Sequence, residues 1–321
     1  MTVEHSVSEV LLNHLHGISS ECSSPPTTFF HYTRLDGLEG ITKSGQLWAT
    51  DVTDLEDSEE VKYGKGIVLR AIERCDPPTP FLKVALARTA VYVANTLDLS
   101  KVPGINLPRV RWFIACFCAH GDLPSQWKNY ACNGEGYSLG FCPTPDPDDF
   151  LAPLFPALDC LDWAMVSILY DQKIQNAMID EVLQQATRLD QHYDGDAKSN
   201  EWDLSQQLFD AMNREVTPES FSQLLFSALS NAMFKFKDPF YSPECEWRMT
   251  PRDVPKGLEI KHRTTKDGRE IDYVKMRLRN LKLTEVMCGL YADKGEDEIQ
   301  EILRQHGHKD VRVSRSTVEP G

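Results

Sequence analysis

Apolar positions along this chain switch between a period of two and a period near 3.6, and each switch marks an element. Arg111-Trp-Phe-Ile-Ala-Cys-Phe-Cys118 is an almost unbroken bulky run, which predicts a buried central strand. Phe81 to Leu97 repeats its apolar residues at helical spacing after the Pro77-Pro78 break. The acidic stretch from Asp51 to Glu60 is expected to open a helix running to Ile72. Pro124–Ala131 reads as a short helix and Gly136–Phe141 as a strand. The proline-rich stretch Pro143–Pro156 is irregular, and Ala164–Tyr170 is a further strand candidate. Helices follow between Gln172 and Phe234, including Glu201–Asn213 and Pro218–Ala232. Strands return at Cys245–Thr250, Leu258–His262, Ile271–Leu278, Thr284–Gly289 and Val311–Ser314, with a helix from Lys294 to Gln305. Lys266-Asp267-Gly268 supplies a hairpin turn. This mixture lacks a steady βαβ rhythm and points to an α+β fold. Residues 1–27 read as a short helix and a linker, and 28–321 as a single domain with a helical insert at about 172–234.

The densest local signal lies at residues 29–50. Phe29-Phe30-His31-Tyr32-Thr33 has strand character and runs into a helical pattern carrying Leu38 and Ile41. Thr33 and Asp36 have capping-box spacing, and Ser44-Gly45 supplies a left-handed stop. Gln46–Thr50 is a second short strand. A histidine beside a helix N-terminus suits an anionic or sugar-bearing ligand such as a nucleotide.

Charge narrows the partners. The net charge is −14 and the pI about 5.1, which opposes non-specific adhesion to nucleic acid or to an anionic membrane. A local basic groove near Lys261, His262 and Arg263 remains compatible with that balance. Nine irregularly spaced cysteines fit a reducing compartment better than a disulfide framework. No apolar run approaches the roughly 18 residues of a membrane span, and no signal sequence is visible, so a cytoplasmic protein is expected.

Three groupings carry candidate chemistry. In Pro243–Met249, strand alternation would put Glu244, Glu246 and Arg248 on one face and Cys245, Trp247 and Met249 on the other. Such a row is either the floor of a cleft or a solvated ion pair of little energetic weight. Trp127 and Tyr130 stand one helical turn apart, followed by Gly134, Gly136 and Gly140, which permit tight turns and close backbone approach. An aromatic stripe of that kind is more often core, but Tyr130 or Tyr137 would serve to stack a planar ligand. Asp51, Asp54, Glu56, Asp57, Glu59 and Glu60 would suit a hard cation by composition, though they lack the spacing of a calcium loop. Cys116, Cys118 and His120 have no second ligand pair to complete a zinc site.

Taken in order, these motifs resemble a bacterial family of unknown function. They are His31-Tyr32-Thr33, Gly40-Ile41 to Thr50, Leu55-Glu56-Asp57 with Glu60, Cys116-Phe117, Trp127 with Tyr130, Gly136 to Phe141 and Glu244 to Arg248. The resemblance spans about residues 29–315, with Glu56 standing where the family usually has asparagine. The front and back motifs are also similar to those of ADP-ribosyltransferases, including DNA-modifying toxins. That second resemblance implies a split, mostly antiparallel sheet with NAD bent across it as the substrate.

By that resemblance the strand His31-Tyr32-Thr33 would line the dinucleotide, His31 at the adenosine ribose and Thr33 at the adjoining backbone or ribose. Glu246 would accept from the nicotinamide ribose and stabilise the oxocarbenium formed when the glycosidic bond breaks. Glu244 would orient or deprotonate an acceptor, and Tyr137, or else Tyr130, would stack the nicotinamide. The acceptor is open: protein, nucleic acid, small molecule or water. The implied activity is ADP-ribosyl transfer or NAD glycohydrolysis, as in a toxin or defence effector. A catalytically silent nucleotide sensor or interaction domain and a metal-dependent hydrolase built on Asp51–Glu60 are the alternatives.

Overall fold

The computed structural model describes residues 26–55, 58–96, 111–144, 159–160, 163–193, 217–251, 259–265 and 268–321. The expected helices at 6–16 and 201–213 and the irregular stretch beyond Thr144 lie outside them. The chain opens with β1 (Phe29–Thr33), α1 (Leu35–Ser44), β2 (Gln46–Asp51), α2 (Ser58–Arg74) and α3 (Pro80–Ala94). Next come β3 (Phe113–Cys118), α4 (Pro124–Tyr130), β4 (Tyr137–Pro143), β5 (Asp159–Cys160) and β6 (Trp163–Ser167). Helices α5 (Gln172–Tyr193) and α6 (Pro218–Met233) follow. The chain closes with β7 (Glu246–Pro251), β8 (Lys261–Thr264), β9 (Glu270–Arg277), β10 (Leu281–Cys288), α7 (Glu296–Gln305) and β11 (Arg312–Arg315).

Two compact units result. One is helical and lies within residues 57–110 and 169–240; the other, within 25–56, 111–168 and 241–321, holds the eleven strands found among the described residues. In the helical unit, Gly64 of α2 lies so close to α6 that a Cβ there would meet the Met233 carbonyl oxygen at 2.5 Å. Thr79 caps α3 through Leu82 N and also donates to Asp190 of α5 at 2.7 Å. Gln175 ties the chain segments entering and leaving this unit by donating to the carbonyls of Leu169 and Lys237. Lys237, almost fully buried, pairs with Glu60 at 2.6 Å.

The β-rich unit is an α+β arrangement in which a mostly antiparallel sheet stays open. Its path is β11-β10-β4-β1-β3-β2-β9-β8, with β7, β6 and β5 branching from β3. Among the described strands only β10 and β11 pair in parallel, joined through α7. The branch makes a fork. One edge of β3 pairs with β7 from Ala115 to Cys118. The other edge is shared, because β2 takes its start at Phe113 and Ile114 while β1 touches it only at Cys118. The Trp112 carbonyl accepts from Val52 N on this shared edge, and the Cys116 carbonyl points the same way by strand alternation.

One sheet face carries the main core: Phe29, Phe117, Phe141 and Trp247 meet edge-on with Leu139, Met249 and Val286 around them. Helix α1 lays Leu38 and Ile41 on that core, and Gly45 ends it at φ 61 with its N–H on the Ile41 carbonyl, as the Ser44-Gly45 stop predicts. Its start differs from expectation. The N-cap is Arg34, with no side-chain cap, and the Thr33 capping box does not form. Thr33 Oγ1 instead occupies the space beside Gly37, where a Cβ would come within 2.0 Å of it. Helix α2 also begins later than the acidic run suggested, because β2 extends to Asp51 and a tight turn at Val52–Asp54 follows. Asp51 accepts from Thr53 N, and Asp54 accepts from Asp272 N in β9, so these carboxylates close a turn.

Candidate functional site

The residues nominated by sequence fall around β1, β3 and β7, and register decides which of them meet. Phe30 stands opposite Cys118, and Cys118 opposite Glu246. Directly opposed side chains of antiparallel strands share a face, so Phe30, Cys118 and Glu246 lie together, with Cys116 and Arg248 one pair further on. His31 is one residue out of step. It turns to the opposite face, where its ring is tilted 5.6 Å from that of Phe117. The structure therefore does not bring His31 and Glu246 to one groove.

His31 occupies the fork itself. Its Nδ1 donates to the Cys116 carbonyl at 2.9 Å, supplying a backbone partner on the edge that β1 leaves open. The residue as a whole is half-buried, and its ring is surrounded by protein. Burial holds its pKa below the ordinary histidine value, against the opposing pull of the Cys116 carbonyl. With Nδ1 donating and the ring neutral, Nε2 is an acceptor.

On the other face the polar atoms are turned inward. Glu246 and Arg248 are both buried, and the guanidinium grips both carboxylate oxygens, Nε to Oε1 at 2.6 Å and Nη2 to Oε2 at 3.3 Å. The alternation predicted for Glu244–Met249 holds only from Glu246 onward. Cys245 adopts φ 47 and Glu244 ends the turn Pro239–Glu244, so Glu244 is not the next residue of a regular strand row. The Glu244 carbonyl accepts from the Cys118 thiol at 3.1 Å, and burial above all pushes that thiol's pKa up to about 12.

Tyr32 shares this face and is buried. Its hydroxyl donates to the His120 carbonyl at 3.0 Å and accepts from Leu123 N at 3.1 Å. Its ring meets Trp127 edge-on at 5.0 Å. Burial raises the phenol's pKa well beyond the usual tyrosine range. Trp127 is fully buried and donates through Nε1 to Asp122 at 2.7 Å; Asp122 also accepts from Ser316. Tyr130, one turn on, is 46% exposed, so the two aromatics do not form one stripe. Tyr137 points to the core beside Leu139 and Phe141 with only 1% of its surface exposed, which leaves no ring face for a ligand to stack on. The glycines behave as their spacing suggested. Gly134 has φ 86, and a Cβ on Gly136 would meet the Thr33 carbonyl oxygen at 2.4 Å.

The acidic segment divides. Asp51 and Asp54 shape the turn after β2, Glu60 pairs with Lys237, and Glu56 and Asp57 lie outside the described residues. Among the described residues no group of three or more His, Cys, Asp or Glu side chains is placed to hold a metal ion. None of the described helices is long and apolar enough to cross a membrane.

Residues 126–249 match the family described as Protein of unknown function (DUF2971). The matched stretch runs from α4 into β7 and includes Trp127, Tyr130, Tyr137, Glu244, Glu246 and Arg248, whereas the His31 strand lies ahead of it. No curated protein and no solved structure matches the chain.

Proposed function

We propose that this chain is a nucleotide-binding domain without ADP-ribosyltransferase chemistry, acting in the cytoplasm as a sensor or interaction domain. One observation carries the reading: the Glu246 carboxylate is buried against Arg248 on the sheet face turned away from His31. A carboxylate that stabilises an oxocarbenium must face the ribose in a site the substrate can enter. Here its charge is neutralised by a guanidinium on its own strand. His31 supplies the binding half of the reading, because a neutral imidazole held through Nδ1 offers Nε2 to a ribose hydroxyl.

The test is to incubate the protein with NAD while measuring nicotinamide release and equilibrium binding of NAD and ADP-ribose. Saturable binding without release, weakened about tenfold by His31→Gln, is the expected result. Failure to bind either ligand overturns the nucleotide reading. Nicotinamide release that disappears in Glu246→Gln overturns the silent reading, and release abolished by EDTA with Glu246→Gln unaffected assigns the activity to the acidic segment.

A second reading keeps the enzyme, an NAD-consuming ADP-ribosyltransferase of unassigned acceptor working as a toxin or defence effector. The observation in its favour is the fork in a mostly antiparallel sheet, with His31 seated in it.

A further inference from the structure

The second branch of the sheet, β2-β9-β8, carries a surface that the site above does not use. Register places Trp48 opposite Lys275, Thr50 opposite Tyr273, and Tyr273 opposite Lys261, all on one face, with Arg263 of β8 beside them. Trp48 is 44% exposed although it sits on a strand. Its ring is stacked on buried Tyr273, centroids 4.4 Å apart and planes 23° off parallel. The Arg263 guanidinium lies 5.5 Å from the Trp48 centroid and 6.0 Å from that of Tyr273, and the Lys275 ammonium lies 5.7 Å from Trp48. Lys261 completes the group, paired with Glu259 at 2.8 Å. Asp272 belongs to the opposite face, where it is held by Arg111 and His262.

In a chain of net charge −14, Arg263 and Lys275 over the aromatic step and Lys261 on the next strand, set against the carboxylate of Glu259, leave this patch net positive, a local reversal of the whole molecule's sign. Exposed aromatics provide stacking faces for any base, and neighbouring Lys and Arg follow the phosphates. The acidic remainder repels a polyanion except where it meets this patch, which favours a short contact over non-specific coating. Duplex is the poorer fit, since its bases are stacked on one another and offer no free face to Trp48.

We propose that the outer face of β2-β9-β8 binds single-stranded nucleic acid, with a base stacked on Trp48 and phosphates held by Lys261, Arg263 and Lys275. The proposal is independent of the nucleotide reading above, which concerns the fork at His31.

Fluorescence anisotropy of labelled oligothymidylate and oligouridylate about 12 nucleotides long tests it at low salt. The expected result is saturable binding whose logarithmic salt slope is about −2, from three phosphate contacts. Trp48→Ala should raise Kd about tenfold, Trp48→Phe should recover most of that loss, and Arg263→Glu with Lys275→Glu should abolish binding. The thermal midpoint of each variant confirms that it is folded. Preference between the two oligonucleotides identifies the strand as DNA or RNA. Absence of saturable binding, binding indifferent to these substitutions, or displacement by polyglutamate as efficient as by unlabelled oligonucleotide would overturn the proposal, the last pointing to acidic peptides.

Discussion

The two branches of the sheet use the same residue types to opposite ends. Around β1, β3 and β7, Tyr32, Trp127, Glu246 and Arg248 are all buried, and their polar atoms are matched within the protein. Around β2, β8 and β9, Trp48, Arg263 and Lys275 reach solvent, and cations outnumber the acids among them. The difference lies in what the aromatic ring covers. Trp127 closes over Tyr32, whereas Trp48 rests on Tyr273 with Arg263 and Lys275 beside its ring and stays 44% exposed. Aromatic-plus-charge patterns in a sequence therefore do not by themselves separate a packed polar interior from a binding platform.

The strongest test of the contrast is Arg248→Ala, which takes the guanidinium away from a buried carboxylate. It should cost about 3–5 kcal/mol in denaturant unfolding, whereas the same truncation at Arg263 should leave the midpoint unchanged within error. Next is the pair of tryptophans. Trp127→Ala should lose about 3–5 kcal/mol, and Trp48→Ala no more than about 1 kcal/mol, both read from urea midpoints. A Trp48 loss comparable to that of Trp127 would mean that the outer face is core in disguise. The smallest effect is the pH dependence contributed by His31. Its folded pKa lies below the unfolded value of 6.5, so the unfolded chain takes up the proton first as pH falls. The stability that the neutral ring supplies is intact above pH about 6.5 and is lost as pH falls towards the folded pKa. The stability gap between wild type and His31→Gln should therefore shrink from pH 7.5 to pH 5.

Much of the fold was legible because burial imposes a period. The run at Phe113–Cys118, the helix ended by Gly45 and the hairpin at Gly268 all follow from local chemistry. What local pattern cannot carry is register. Whether His31 and Glu246 share a face depends on Phe30 meeting Cys118 and Cys118 meeting Glu246, and a slip of one residue would reverse the answer. Glu244 misled for a related reason, since nothing in Pro-Glu-Cys-Glu announces a left-handed residue at Cys245. The glycines flanking Tyr137, offered with Tyr130 as a stacking residue, admit backbone, as Gly136 does beside Thr33, while the Tyr137 ring lies in the core. The basic cluster at Lys261–Arg263 was visible in the sequence, but Trp48 looked like one more strand residue until β9 set Tyr273 and Lys275 beside it.

The left-handed backbone at Cys245 governs how this region can diverge. A β-branched side chain there would collide with its own carbonyl, while glycine or asparagine would settle without complaint. Randomising that one codon should return a short repertoire of small or amide residues, even though the thiol itself takes no part in holding Glu246 to Arg248.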